Sequence, residues 1–233
     1  MKDYLCLRCH EPLKQPPGWL NVFQVRPPLL CTECRSLLEP VSEDGCCICG
    51  HPEVMEKCTD CTAREKRSRF PAVVQRSLYT YNPFMKDLIS QFKYRGDAEL
   101  SLVFADDLLK LARREFPGFH AAVPVPLHPD RLWERGFNQA SLLGQKFPGE
   151  ELLIRSSMNT KQSKSPGRTR RNNAEGAFMM KKPADYSKKH ILLIDDIYTT
   201  GATIEAAALP FWEAGALRVS AVTAARALKK ALL

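Results

Sequence analysis

Two neighbouring carboxylates, Asp195 and Asp196, stand where a short apolar run of the sequence gives way to a threonine and glycine turn. Adjacent carboxylates can accept hydrogen bonds from two neighbouring hydroxyls, such as the 2′ and 3′ hydroxyls of a ribose. The turn precedes a predicted helix, and backbone N–H groups at a helix N-terminus bind phosphate. The candidate phosphate-binding residues are Thr199, Thr200, Gly201, Ala202 and Thr203. The pattern indicates a ribose 5-phosphate site; the alternative is that the acids only end a strand and Thr200 caps the helix.

Eight of the nine cysteines form four Cys-x-x-Cys pairs, and Cys47 is the one that remains. The eight are Cys6, Cys9, Cys31, Cys34, Cys46, Cys49, Cys58 and Cys61. Four thiolates suit tetrahedral Zn²⁺, and a two-residue gap lets one turn direct both sulfurs at one ion. We therefore expect two structural zinc sites, since a redox dithiol does not need four pairs. Pairing in chain order is the simplest assignment, but the spacing leaves other pairings open, and His10 and His51 could each replace a ligand.

The composition of the chain changes abruptly after the last cysteine, which predicts a domain boundary near residue 62. We expect a double zinc ribbon at residues 1–62, a basic linker at 63–70 and a larger domain at 71–233. The first segment holds six basic and nine acidic residues, a net charge of −3, whereas the rest carries +11 and gives the chain its total of +8. With two Zn²⁺ and eight thiolates the ribbon would carry about −7, which disfavours contact with a nucleic-acid backbone.

The sequence contains no apolar run near the roughly 20 residues that span a bilayer, and its first residues lack the apolar core of a secretory signal. We therefore expect no membrane insertion and a cytoplasmic location, where thiols stay reduced.

Extended and helical signals alternate after the cysteine-rich segment, as in an α/β fold whose sheet is covered by helices. Predicted strands lie at 73–81, 121–126, 152–155, 176–180, 190–194 and 217–222. Predicted helices lie at 83–92, 99–115, 138–146 and from Gly201 onward. Ligands of open α/β sheets bind beyond the carboxyl ends of the strands. The acidic pair and the turn stand at such an end.

The acidic pair and its turn resemble the phosphoribosyl pyrophosphate (PRPP) binding motif of type I phosphoribosyltransferases almost position for position. Three further stretches resemble the ComF family: residues 92–96 (FKYRG), 123–128 (VPVPLH) and 135–139 (RGFNQ). The resemblance covers nearly the whole chain, because that family also carries cysteine ribbons ahead of a phosphoribosyltransferase-like domain. It implies a mostly parallel sheet of the type I phosphoribosyltransferase kind with helices on both faces, preceded by a small double zinc-ribbon module.

The resemblance also implies roles for individual residues. Asp195 and Asp196 would hold the ribose hydroxyls, and residues 199–203 the 5-phosphate. The pyrophosphate loop would comprise Pro126, Leu127 and His128, with Arg131 and Arg135 as cationic donors. A mobile hood loop at 156–175 would cover the site and contribute Gln162, Arg168, Arg170 and Asn173. Mg²⁺ would accompany PRPP and bridge its diphosphate and ribose oxygens.

The expected activity is Mg²⁺-dependent phosphoribosyl transfer from PRPP to an acceptor that the sequence does not identify. His128 and Arg135 are the candidate catalytic residues. Thr199 stands where purine-salvage relatives carry an acid, which argues against a purine acceptor. The ComF resemblance links the protein to DNA uptake or utilisation and to competence or DNA-processing proteins as partners. The alternatives are a non-catalytic PRPP-binding protein and a factor that associates with single-stranded DNA.

Overall fold

A four-stranded parallel sheet forms the centre of the computed structural model, which describes residues 4–13, 28–52, 54, 56–94, 97–156 and 176–228. The sheet consists of β1 (Val74–Thr80), β2 (Ala121–Pro124), β5 (His190–Tyr198) and β6 (Arg218–Arg226). Their order across the sheet is β1-β6-β5-β2, and all three pairings are parallel. A separate antiparallel pair is formed by β3 (Leu153–Arg155) and β4 (Phe178–Met180).

Helices connect these strands and cover the sheet. They are α1 (Thr32–Ser36), α2 (Thr59–Glu65), α3 (Pro83–Tyr94), α4 (Ser101–Glu115), α5 (Pro129–Arg135), α6 (Gln139–Leu143) and α7 (Ala202–Glu213), with a 3-10 turn at Ala98–Leu100 before α4. No helix in the described ranges has the length and apolar character that crossing a membrane requires.

Alternate residues of β5 face two different cores. Leu192 and Ile194 belong to a core with Phe104 of α4, whereas Ile191 and Leu193 belong to a core with Phe211 of α7. Because a strand buried on both faces needs apolar residues at every position, the continuous apolar run is explained by helices on either side. The predicted α/β fold, with a mostly parallel sheet between helices, is confirmed.

The chain before β1 covers the outer edge of that strand. The backbone N–H of Val41 donates to the carbonyl of Leu78 (2.9 Å), and the N–H of Thr80 donates to the carbonyl of Glu39 (2.8 Å). Nearer the start of β1, the N–H of Gln75 donates to the carbonyl of Ile48 (2.8 Å), between two cysteines of a pair. These bonds give partners to backbone groups that an edge strand would otherwise leave unpaired. The cysteine-rich segment is thus attached to the sheet by its backbone.

Several elements differ from the sequence predictions. Strand β5 continues past the apolar run to Tyr198, because its ladder with β6 extends to the pair Tyr198 and Arg226. Helix α5 was not predicted, since it buries none of its residues and therefore lacks an apolar stripe. Its ends are defined by His128 as the N-cap, Pro129 in the first turn and Gly136 with φ +76° after the last turn. Helix α2 continues to Glu65, into the segment predicted as a linker.

Candidate functional site

The acidic pair lies in the second half of β5, toward the carboxyl edge of the sheet. Asp195 is in register with Thr223 of β6, and its Oδ1 accepts the backbone N–H of Asp196 (2.9 Å). Burial of the carboxyl and the charge of the adjacent Asp196 raise the pKa of Asp195 above its ordinary value, and Lys93 opposes them. Two partly buried carboxyl groups therefore stand side by side at this edge of the sheet.

Lys93 belongs to this edge of the sheet. It stands in the last turn of α3, and its Nζ forms an ion pair with Oδ2 of Asp196. Both side chains are mostly buried, with 17% and 15% of their surfaces exposed, so the pair is shielded from solvent. The sequence motif FKYRG thus brings a cation to the acidic pair, and its Arg95 and Gly96 lie outside the described residues.

The threonine and glycine turn follows β5 directly and begins α7. Gly201 is the N-cap of the helix and has φ +85°, a conformation that favours glycine. Thr200 Oγ1 lies 3.4 Å from the N of Ala202. Thr199, Thr200, Ala202 and Thr203 are exposed, so the amino end of a twelve-residue helix is accessible to solvent. Such an end attracts an anion.

The predicted pyrophosphate loop follows β2, the neighbour of β5, at the same edge of the sheet. Pro126, Leu127 and His128 are partly buried there. The backbone N–H of Asp130 donates to Nδ1 of His128 (3.3 Å), so this nitrogen acts as a helix cap. Arg131 is exposed on α5, whereas Arg135 donates from Nη1 to Oε1 of Gln139 (2.9 Å).

Arg155 is a residue of this region that the sequence analysis missed. It is the last residue of β3, and the charges of Arg131 and Asp195 act on its guanidinium group. Burial and the nearby Arg131 lower the pKa of Arg155, whereas the carboxylate of Asp195 raises it. Lys93 of α3 pairs with Asp196, and Arg155 of β3 lies within the electrostatic influence of Arg131 of α5 and of Asp195. Three separate elements therefore bring positive charge to this region. Nothing in the sequence marks Arg155, the last residue of a three-residue strand, as a residue of the site.

The eight cysteines form two groups of four, in chain order. Cys6, Cys9, Cys31 and Cys34 form the first cluster, and Cys46, Cys49, Cys58 and Cys61 form the second cluster. Within each cluster all sulfurs lie within 4.8 Å of one another. Four thiolates about 2.3 Å from one Zn²⁺ would be roughly 3.8 Å apart in a tetrahedron. The sulfurs of Cys9 and Cys31 are 3.7 Å apart, and those of Cys49 and Cys58 are 3.6 Å apart. Each cluster could hold one zinc ion.

The other residues singled out in the sequence lie outside both clusters or outside the described part of the chain. Cys47 is exposed and belongs to neither cluster, and neither His10 nor His51 replaces a cysteine in them. The hood-loop residues Gln162, Arg168, Arg170 and Asn173 lie outside the described residues. Arg64, which lies in the segment predicted as a basic linker, contacts both Cys61 and the carbonyl of Thr200.

The chain is similar to proteins named for competence and for DNA utilization. Competence protein ComFC of Bacillus subtilis (strain 168) is 39% identical over 230 residues, which cover 95% of this chain and 95% of that protein. Competence protein ComFC of Streptococcus pneumoniae is 36% identical over 227 residues, with coverages of 95% and 99%. DNA utilization protein YhgH of Escherichia coli (strain K12) is 28% identical over 201 residues, with coverages of 76% and 88%. No protein-family model matches the chain.

Proposed function

The chain belongs to the ComF family, and from that premise we propose that it binds PRPP with Mg²⁺ and serves DNA uptake or utilization. The observation that carries the PRPP proposal is the order of groups along the carboxyl edge of the sheet. The acidic pair on β5 is followed at once by the exposed amino end of α7, and cations from other elements stand beside it. A sugar with phosphates at both ends matches this order of charges.

Each end of PRPP has complementary groups in this proposal. Asp195 and Asp196 accept the ribose hydroxyls, and the N–H groups and hydroxyls of residues 199–203 bind the 5-phosphate. Arg131 and Arg155 neutralise the pyrophosphate, with Pro126, Leu127 and His128 forming its loop. Lys93 is held by Asp196 and can exchange that carboxylate for a phosphate oxygen.

Carboxylate oxygens and phosphate oxygens suit Mg²⁺, a hard cation, so the donors present fit the ion that would accompany PRPP. When bound, Mg²⁺ stabilises the charge of a departing pyrophosphate. The chain itself supplies cations to the same leaving group and orients the ribose through the acidic pair. These contributions are positioning and electrostatic stabilisation, which account for most of the rate acceleration in reactions of this kind.

The proposed activity is phosphoribosyl transfer to an acceptor that remains to be identified. His128 is the first catalytic candidate; its Nδ1 accepts the backbone N–H of Asp130, and its Nε2 would face pyrophosphate or the acceptor. Arg135, which is bonded to Gln139, is the second catalytic candidate and would act as a further cation. Binding of PRPP without turnover is the alternative within this proposal.

Calorimetry with PRPP and Mg²⁺ tests the binding proposal. We expect the substitutions Asp195→Asn and Asp196→Asn, made together, to reduce PRPP affinity at least 100-fold while two zinc ions per chain remain. Asn is isosteric with Asp and keeps an oxygen for the N–H of residue 196 but removes the negative charge. Asp185→Asn is a matched control, since Asp185 is exposed and hydrogen-bonds to Ser187 of its own turn, away from the acidic pair. Unchanged affinity of the double variant would contradict the site, and pyrophosphate release with acceptors would separate turnover from binding.

One observation favours direct contact with single-stranded DNA as a second function. Trp133 on α5 is 90% exposed, and Arg131 stands on the same short helix. Bases stack on exposed aromatic side chains, and nearby cations bind the phosphate backbone. We expect Trp133→Ala to weaken binding of an oligothymidylate about 10-fold, measured by fluorescence anisotropy at low salt. Leu217→Ala changes another exposed apolar residue and serves as the control. Equal affinities of the two variants would contradict this second function.

A further inference from the structure

Arg64 joins the second cluster to the threonine and glycine turn. Its Nη2 donates to the sulfur of Cys61 (2.9 Å), and its Nη1 donates to the backbone carbonyl of Thr200 (3.0 Å). The same Nη1 also donates to the hydroxyl of Tyr198 (2.9 Å) and to Oε1 of Glu205 (2.9 Å). One guanidinium therefore contacts a thiolate of the cluster, the end of β5, the turn and the first turns of α7.

Arg226 makes a second connection of the same kind. It is buried at the end of β6, and its Nη2 donates to the sulfur of Cys49 (3.2 Å). Its guanidinium carbon lies 4.9 Å from the centre of the Tyr198 ring. Within the described part of the chain its Nε and Nη1 have no hydrogen-bond partner, so the charge must be balanced in another way. A zinc ion with four thiolates carries a charge of about −2, which two arginines neutralise.

Tyr198 stands between the two arginines and leads into the turn. Its ring faces Arg226, and its hydroxyl accepts from Arg64. Burial raises the pKa of Tyr198 to about 12 despite the opposing charge of Arg64, so the hydroxyl keeps its proton at neutral pH. The position of this residue, and with it the start of the turn, is set by groups that also bind the cluster.

Gly201 shows how closely the turn approaches Arg64. A Cβ atom at this position would lie 2.1 Å from Nη1 of Arg64 and 2.4 Å from the hydroxyl of Tyr198. The glycine therefore leaves room for Arg64, in addition to adopting a positive φ. Gly201 is buried against these two side chains, whereas Ala202 and Thr203 directly after it are exposed.

We propose that Arg64 and Arg226 are positioning residues that couple the second cluster to the phosphate-binding turn, so that zinc retention in this cluster and affinity for PRPP depend on each other. The proposal rests on the proposed function for the identity of the ligand. Two sites that bias the same element must influence each other reciprocally. Zinc in the second cluster fixes the arginines, the arginines fix the turn, and a phosphate bound at the turn in return stabilises the cluster.

The first cluster has a different neighbour. Gln91 of α3 donates to the carbonyl of Leu7 (3.3 Å), and Arg8 lies 3.9 Å from a carboxylate oxygen of Asp87 on the same helix. These contacts link the first cluster to α3, whereas Arg64 links the second cluster to the turn. The coupling is accordingly specific to one of the two zinc ions.

The test compares Arg64→Gln with Arg69→Gln in the full chain with zinc bound. Arg69 is a matched control, because it also bonds to α7, through Glu213 (2.7 Å), but its side chain is exposed. Three quantities are measured: PRPP affinity by calorimetry, amide hydrogen exchange of residues 199–203, and the rate at which a colorimetric chelator extracts each zinc ion with and without PRPP and Mg²⁺.

We expect Arg64→Gln to weaken PRPP binding about 10-fold and to speed exchange in the turn by a similar factor, with Arg69→Gln unchanged. In the unaltered protein PRPP should slow the release of one zinc ion several-fold, and Arg64→Gln should abolish this protection. A merely structural role of Arg64 would not make zinc release depend on PRPP. If Arg64→Gln loses zinc during purification, Glu205→Gln removes an acceptor of Arg64 without touching a thiolate, and we expect smaller effects in the same direction.

Two outcomes would count against these ideas in different ways. Wild-type exchange and wild-type affinity in both Arg64→Gln and Glu205→Gln would overturn the coupling. Absence of PRPP binding by the unaltered protein would instead contradict the proposed function. The amide hydrogen-exchange rates of residues 199–203 can be measured without a ligand, and they alone would then decide whether Arg64 couples the second cluster to the turn.

Discussion

At the scale of single residues, Asp195 combines an expected role in binding with a cost in stability. Burial and the neighbouring Asp196 raise its pKa above the ordinary 3.8 in the folded chain, whereas an unfolded chain has the ordinary value. The folded state therefore holds the proton more tightly than the unfolded state. The stability associated with this proton is fully present below pH 3.8 and is lost as the pH rises through the raised value. A carboxyl group placed to bind hydroxyls thus lowers the stability of the folded chain as the pH rises.

We predict that Asp195→Asn stabilises the protein at pH 8 while it weakens PRPP binding. The free energy of unfolding should exceed that of the unaltered protein by on the order of 1–2 kcal/mol at pH 8, and the difference should shrink as the pH falls toward 4. Urea titrations followed by fluorescence at several pH values measure it. A difference that does not vary with pH would contradict the raised pKa, and Asp185→Asn shows the effect of removing an exposed carboxylate.

Residue types in the sequence identified the acidic pair and the eight cysteines, because both carry short-range patterns. The partners that act on them have no such pattern. Arg155 ends a short strand, and Arg64 belongs to a run of charges that is usually a solvated face. Contacts between residues more than a hundred positions apart, such as Arg64 with Thr200, depend on how the fold places α2 beside the turn and cannot be read from spacing.

At the scale of elements, the connection from β5 to α7 depends on Gly201, which lies close to the side chains of Arg64 and Tyr198. We predict that Gly201→Ala destabilises the protein by more than Gly118→Ala, although both glycines have a positive φ, +85° and +75°. Each substitution carries backbone strain of about 1 kcal/mol. An added Cβ at 201 also displaces Arg64, whereas one at 118 meets nothing within 4 Å.

The difference in the free energy of unfolding between the two glycine variants measures the contribution of the contacts that Arg64 and Tyr198 make beside the turn. We expect it to be about 1–3 kcal/mol, the usual value of hydrogen bonds made by a charged group. Thermal and urea unfolding of both variants provide the measurement. Equal destabilisation would mean that Arg64 relaxes without loss, and it would contradict the close approach between α2 and the turn.

The sequence predicted best those elements that pack against a core, because packing requires a regular pattern of apolar residues. Strands β5 and β6 and helices α3 and α4 bury apolar faces, so their apolar pattern was visible in the sequence. Helix α5 buries no residue, and only its cap, proline and terminal glycine mark it. Strand β5 extends beyond its apolar run because the ladder with β6 continues, which is a property of the partner strand. Patterns of burial thus predict packed elements, and exposed ones require their end signals.

At the scale of the whole molecule, the cysteine clusters are parts of the two cores. Cys6 and Cys34 share a core with Phe92 of α3, and Cys49 and Cys61 share the other core with Tyr198. A segment with many polar residues and few large apolar ones gains its folding free energy from metal. Because its cysteines pack against the sheet and its helices, loss of zinc should affect the larger fold as well.

We predict that elemental analysis finds two zinc ions per chain and that removing them lowers the thermal midpoint of the entire protein. Cys34→Ser and Cys49→Ser should each leave one zinc ion, since a cluster with three thiolates binds far more weakly. Cys47→Ser, outside both clusters, should keep two. If the ribbon were an independent appendage, chelation would leave the unfolding of the sheet unchanged. A sheet that keeps its midpoint after complete zinc removal would show that the cores do not depend on the clusters, despite the cysteines buried in them.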